Sequence, residues 1–136
     1  MPKPRVLVVD HHDSYTWNLV HLIARVTGEL PDVVEHDEPG VLDAARGYSH
    51  LVLSPGPGHP ANPADFALGA AVFGLGVPVL GVCLGMQALV TAYGGRVERV
   101  APAALSAYLL VVSAGTAGSG EVPAKSLRSC VSSSSA

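Results

Sequence analysis

The sequence predicts an α/β protein built on a doubly wound, mostly parallel sheet. Three observations predict it. Short apolar runs, many of them β-branched, recur along the first hundred residues: VLVVD (6–10), DVVEH (32–36), HLVLS (50–54) and PVLGV (78–82). Stretches with helical spacing lie between them, and strand alternating with helix at this spacing means right-handed crossovers. Polar or glycine-rich turns follow three of the strands: DHHDS, SPGPGHP and CLG. In open sheets of this kind, ligands bind at the carboxyl ends of the strands. The three turns are therefore expected to converge on one edge.

Each element has its own signal. VLVVD reads as a buried parallel strand. Asp13 and Ser14 are N-cap candidates for the helix YTWNLVHLIARV, whose apolar positions Trp17, Val20, Ile23 and Ala24 recur at helical spacing and which Gly28 ends. VLDAAR gives one short helix. HLVLS is stopped by PGPGHP. ADFALGAAVFGLG (64–76) reads as a helix weakened by glycine, LGMQALVTAYGG (84–95) as a helix closed by a glycine pair, and RVERV (96–100) as a further strand.

The 136 residues suffice for one modest domain with a real core. A hydrophobic fraction of 49% argues against disorder in the chain as a whole. Net charge is −3, there is no basic block, and aromatics are only 5%, so no nucleic-acid partner is expected. No apolar run approaches bilayer length, so no membrane partner is expected either. The start, MPKPRVLVVD, is basic then apolar, but the run ends at Asp10 and reads as a first strand, not a signal peptide. Cys83 and Cys130 do not make a disulfide framework, and a reducing cytoplasm is the expected location.

The texture changes near Ala101. Charged residues thin out, Ser, Ala and Gly dominate, and YLLVV (108–112) is the one convincing strand signal. The chain thus divides into an α/β unit, residues 1–103, and an atypical Ser/Ala/Gly-rich tail, residues 104–136, with 115–136 read as disordered.

GVCLG (81–85) carries the chemistry. Gly-x-Cys-x-Gly between a strand and a helix is the cysteine form of a nucleophile elbow. The flanking glycines allow a sharp turn that lifts the Cys83 sulfur above the sheet edge. A helix N-terminus there favours thiolate, and the Leu84 N–H can point at a developing oxyanion. The competing reading is a buried structural cysteine. SPGPG (54–58) is a rigid loop that can complete an oxyanion hole or cradle a polar ligand; alone it is better read as an ordinary loop. Gln87, four residues after Cys83, shares the site-facing side of its helix and can bond an amide or carboxylate, against a solvent-facing alternative. His11 and His12 are adjacent and point apart on any regular element. No Cys or further His stands at metal spacing, so neither a metal nor a cofactor is expected, and a polar capping loop is preferred.

Together VVDHHDSYTWNL, LVLSPGPGHP and PVLGVCLGMQALVTAYGGRV resemble the class I, triad-type glutamine amidotransferases, a flavodoxin-like fold, over roughly residues 5–100. Within them the resemblance is to the glutaminase component of anthranilate synthase and aminodeoxychorismate synthase. It implies that Cys83 attacks the side-chain amide of L-glutamine, giving a γ-glutamyl thioester and ammonia for a chorismate-aminating synthase subunit or fused domain. It implies an oxyanion hole from the N–H groups of Leu84 and Gly56, and substrate contacts from Gly56, Pro57, Gly58, Leu84 and Gln87. Pro57 has no N–H, so the glycines are the donors in that loop.

The sequence departs from the family where the triad should close. The family carries a His-Pro-Glu motif further on; here the last histidine is His59, and the glutamates after Cys83, Glu98 and Glu121, are not near one. His59 is the remaining candidate base, approaching from the oxyanion side. A glutaminase with very low turnover is therefore expected. The alternatives are a non-catalytic remnant that binds glutamine or a partner, and a cysteine hydrolase of related topology, against which SPGPG and Gln87 argue. VTGELPDVVEHDE resembles the longer first loop of the aminodeoxychorismate type, which is preferred over anthranilate. A reading-frame shift near residue 103 in a GC-rich gene accounts for the tail, with a genuine divergent end as the rival.

Overall fold

The computed structural model describes residues 3–97 and the backbone of 112–114. A single sheet organises them. Its order is β2-β1-β3-β4-β5, with β1 Val6–Asp10, β2 Asp32–Glu35, β3 His50–Leu53, β4 Val79–Gly81 and β5 Val112–Ala114. The first four run parallel, and β5 lies antiparallel along β4, Gly81 opposite Val112 and Val79 opposite Ala114. This is the doubly wound, mostly parallel arrangement that the alternating pattern predicts.

Apart from Asp10 and His50 at their ends, the central strands are apolar because both of their faces are covered. Leu7, Val9, Leu51, Leu53 and Val79 point to one side. There they meet Val41 and Ala45 of α2 (Val41–Ala45), Ala88 of α3 (Leu84–Ala92), and Phe66, Leu68 and Val72. Val6, Val8, Val52 and Leu80 point to the other side, where Leu19, Val20 and Ile23 of α1 (Thr16–Thr27) cover them. Among the described residues the second cover is partial. A cavity of about 490 Å³ remains beside α1, lined by Leu19, Leu22, Ile23 and Val26 and floored by Val52 and Leu80.

Several local expectations change. The N-cap of α1 is Tyr15, not Asp13 or Ser14. Asp13 still organises the turn: its Oδ1 accepts the Tyr15 N–H at 2.7 Å and its carbonyl accepts the Thr16 N–H at 3.2 Å. Trp17 is 58% exposed, and Thr16, fully buried, takes the inner position with Val20. Val20 and Ile23 face the core as expected; only the first turn differs, where Thr16 donates to Asp10 Oδ1 at 2.8 Å and is pinned to the end of β1. Gly28 closes α1 as expected, at φ +77° with its N–H on Ala24 O.

Residues 64–76 do not form one α-helix. They make turns and a 3-10 helix, Gly69–Gly74. Gly69 and Gly76 adopt left-handed φ of +62° and +75°, which interrupts helical propagation at both ends, yet the segment still buries Phe66, Leu68 and Val72. Arg96 and Val97 are not in a strand; the rest of RVERV lies outside the described residues. Of the strand expected at 108–112, Val112 is described and lies in β5; 108–111 fall outside the described residues, as do residues 115–136 and most of the 104–136 tail.

Candidate active site

The elbow forms as its glycines require. The Val82 N–H bonds Leu53 O at 3.0 Å, holding the turn to the end of β3, and the Gly85 N–H returns to Val82 O at 3.1 Å. A Cβ on Gly81 would fall 2.6 Å from the Gly85 carbonyl carbon, and one on Gly85 2.5 Å from Leu53 Cβ. Backbone therefore passes where any side chain would stand. Between them Cys83 sits at φ +51°, ψ −104°, a strained conformation for a non-glycine residue, of a kind that costs about 1–3 kcal/mol and clusters at active sites. Cys83 is exposed while Gly81, Val82, Leu84, Gly85 and Met86 around it are buried. A buried structural cysteine is thereby ruled out.

The SPGPG loop lies against the elbow. A Cβ on Gly56 would fall 2.8 Å from Leu84 Cδ2 and 2.6 Å from His11 Cβ, so only glycine lets this backbone enter between them. Gly56 is half-buried, and Pro57 and Gly58 are exposed. Gly58 adopts φ +89°, its Cα facing the Asp65 carboxylate, which accepts the His59 N–H at 3.0 Å. Gln87 is half-buried one turn into α3, its N–H on Cys83 O at 2.9 Å. Cys83, Leu84, Gly56 and Gln87 are thus grouped at the carboxyl edge.

The electrostatics of the thiol differ from expectation. A helix N-terminus favours thiolate, but the Cys83 pKa is raised, first by partial desolvation, since the surrounding turn screens one side of the exposed residue from water, and then by the Asp13 carboxylate. The sequence places the Asp13 turn and Cys83 on one sheet edge, but marks Asp13 only as a capping residue, not as a charge acting on the thiol. His59 is exposed, and its Nδ1 accepts the Ala61 N–H at 3.1 Å. The neutral ring therefore carries its proton on Nε2, and its one lone pair faces the Ala61 N–H and not Cys83.

The histidine pair does point apart. His12 is exposed at φ +59°, and His11 is 1% exposed. The fold adds a neighbour that spacing could not show: His12, His36 and Asp37 bring ligand-type atoms within 4.8 Å of one another. His36 Nδ1, however, accepts the Ala67 N–H at 3.0 Å, so its neutral ring presents N–H on the other nitrogen. That tautomer does not ligate a cation.

With this geometry in hand, the comparisons decide the family. Residues 7–125 match glutamine amidotransferase class-I. The chain belongs to that family. An aminodeoxychorismate synthase of Streptomyces griseus is 49% identical over 100 residues, covering 70% of this chain and 13% of that protein. An anthranilate synthase component 2 of Leptospira biflexa is 40% identical over 104 residues, covering 70% of this chain and 52% of its own length. A second aminodeoxychorismate synthase, from Streptomyces pristinaespiralis, is 44% identical over 100 residues, covering 71% of this chain and 14% of that protein. The chain thus spans about half of the shorter relative and a small part of the longer ones. Among the described residues, no helix is long and apolar enough to cross a membrane.

Proposed function

We propose that this chain is the glutamine-binding, glutaminase-type portion of a chorismate-aminating synthase, of the aminodeoxychorismate type. The observation that carries the reading is the strained, exposed Cys83 at the mouth of α3, with the Gly56 backbone wedged against Leu84. In this reading the Cys83 sulfur attacks the carboxamide carbon of L-glutamine, and the N–H groups of Leu84 and Gly56 receive the charge on the carbonyl oxygen. Collapse of the adduct expels ammonia and leaves a γ-glutamyl thioester, which water hydrolyses to glutamate. Gln87 and the Pro57–Gly58 turn hold the substrate. The 49% identity to the Streptomyces griseus aminodeoxychorismate synthase, against 40% to the Leptospira biflexa anthranilate synthase component 2, favours that type.

Turnover is slow in this reading. The charge acting on Cys83 is the anion Asp13, which opposes thiolate, and the one lone pair of neutral His59 is engaged by the Ala61 N–H. Loss of one member of a nucleophile–base unit typically lowers kcat by about 10⁴-fold or more. These features favour a second reading, in which the site binds glutamine without turning it over, and one experiment separates the two. A glutamine-like chloroketone is expected to alkylate Cys83, free glutamine to protect it, and Cys83→Ser to abolish labelling. Protection with no measurable glutamine hydrolysis selects the binding-only reading. No protection at all removes both. Asp13→Asn is expected to speed alkylation at pH 8 severalfold by lowering the thiol pKa.

A further inference from the structure

His11 stands behind the Gly56 loop, and its hydrogen bonds fix its tautomer. Its main-chain N–H donates to Ser54 Oγ at 2.9 Å. Ser54 Oγ in turn donates to Pro55 O at 2.8 Å. A hydroxyl has one proton, and that bond uses it. The contact between His11 Nδ1 and Ser54 Oγ, at 3.2 Å, therefore has Nδ1–H as donor. The other nitrogen, Nε2, is buried without a partner among the described residues, which suits a bare lone pair better than a second N–H. The ring is held on its faces by Phe66, centroids 5.0 Å apart at 6°, and by His36, 4.9 Å apart at 29°. Burial beside His36 lowers its pKa to about 4, in keeping with a neutral ring at ordinary pH. Its Cβ and carbonyl oxygen close off the back of Gly56, where a glycine Cβ would meet them at 2.6 and 2.9 Å.

We propose that His11 is a positioning residue for the candidate oxyanion loop: as the neutral Nδ1–H tautomer it locks Ser54, Ser54 locks the Pro55 carbonyl, and the chain of bonds sets the direction of the Gly56 N–H. The idea rests on Gly56 acting as an oxyanion donor at Cys83. It differs from a packing role, because the position of one nitrogen decides the outcome. An Asn side chain places an N–H near the Nδ1 position, whereas Gln reaches toward Nε2.

The test compares two alkylation rates at Cys83 in the full chain. The chloroketone needs the pocket and the loop, and iodoacetamide needs only the thiol. The ratio of the two rates reads the loop independently of thiol pKa. His11→Asn is expected to keep the wild-type ratio within about twofold, and His11→Gln and Ser54→Ala to lower it by about tenfold or more, as misplacement of a positioned group does. The double variant should fall no further than either single one. Nitrogen-15 NMR of the native chain should show His11 protonated at Nδ1. An Nε2–H tautomer, or equal ratios for the Asn and Gln variants when both melt cooperatively, overturns the proposal. If the wild-type chain shows no preference for the chloroketone and no protection by glutamine, the assignment of the pocket fails instead. The NMR tautomer then still decides the bond from His11 to Ser54.

Discussion

The two faces of the sheet are built from the same strands and end in different states. On one face, Leu7, Val9, Leu51, Leu53 and Val79 are closed over by α2, α3 and the segment carrying Phe66, Leu68 and Val72. On the other, Val6, Val8, Val52 and Leu80 have only α1 as a described cover, and a groove of about 490 Å³ stays open beside it. The site edge leans on the closed face. Leu53 touches Gly85, and Gly81 passes against Gly85 and Met86, so the geometry of Cys83 is inherited from that packing. Of the elbow, Val82 alone among the described residues packs with the open face. Position within a doubly wound sheet, not hydrophobicity alone, decides which apolar residues matter to the chemistry.

Truncation on the closed face is expected to break the molecule first. Leu53→Ala removes a fully buried side chain from beneath the elbow and should cost about 2–5 kcal/mol. In a urea melt followed together with chloroketone labelling, both stability and glutamine protection are expected to fall. Retained protection would separate the site from this core.

Acid should also act through the closed face. His11 ordinarily titrates near 6.5 and in the fold at about 4, through burial first and His36 second, while Asp10 works in the opposite sense. Above pH 6.5 the ring is neutral folded or unfolded. As pH falls toward 4 the unfolded chain takes up a proton that the fold refuses. Stability is therefore present above about 6.5 and lost through that window, by about 3 kcal/mol from this group. His36, also lowered by burial, adds in the same direction. Urea midpoints measured from pH 7 to pH 4 should show the slope, and His11→Asn should flatten it.

The open face should respond less. Ile23→Ala, at a half-buried position on α1, is expected to cost about 1 kcal/mol, since part of the side chain already faces the groove. An equal loss for Ile23→Ala and Leu53→Ala would erase the distinction between the faces. The smallest effect belongs to the rim. Val26 is 79% exposed and Leu22 54%, so Val26→Lys should change stability by no more than about 0.5 kcal/mol. The same change should reduce binding of a hydrophobic dye, because the wild-type groove is apolar and open.

Much of this was written in the sequence. β-branched runs at regular spacing dictated parallel strands and their order of appearance, because a strand buried on both faces must be apolar throughout. Gly81 and Gly85 dictated the elbow, because nothing larger fits where β4 and β3 pass against the start of α3. Gly28 dictated the end of α1, because its left-handed turn strains other residues. Those are local demands of backbone sterics, and residue identity answers them directly. Other features needed the tertiary structure. Trp17 has the right spacing for a core position, yet the Thr16–Asp10 bond pins the first turn so that Thr16 is buried instead. Residues 64–76 carry helical periodicity, yet two left-handed glycines break them into turns that still fill the core. Cys83 stands at a helix N-terminus, which alone favours thiolate, yet Asp13 arrives from a loop seventy positions away and, with partial desolvation, raises the pKa. The protons of His11 and His59 follow from partners at Ser54 and Ala61. Charge and proton position depend on which groups meet across the fold, and a linear sequence states only which groups exist.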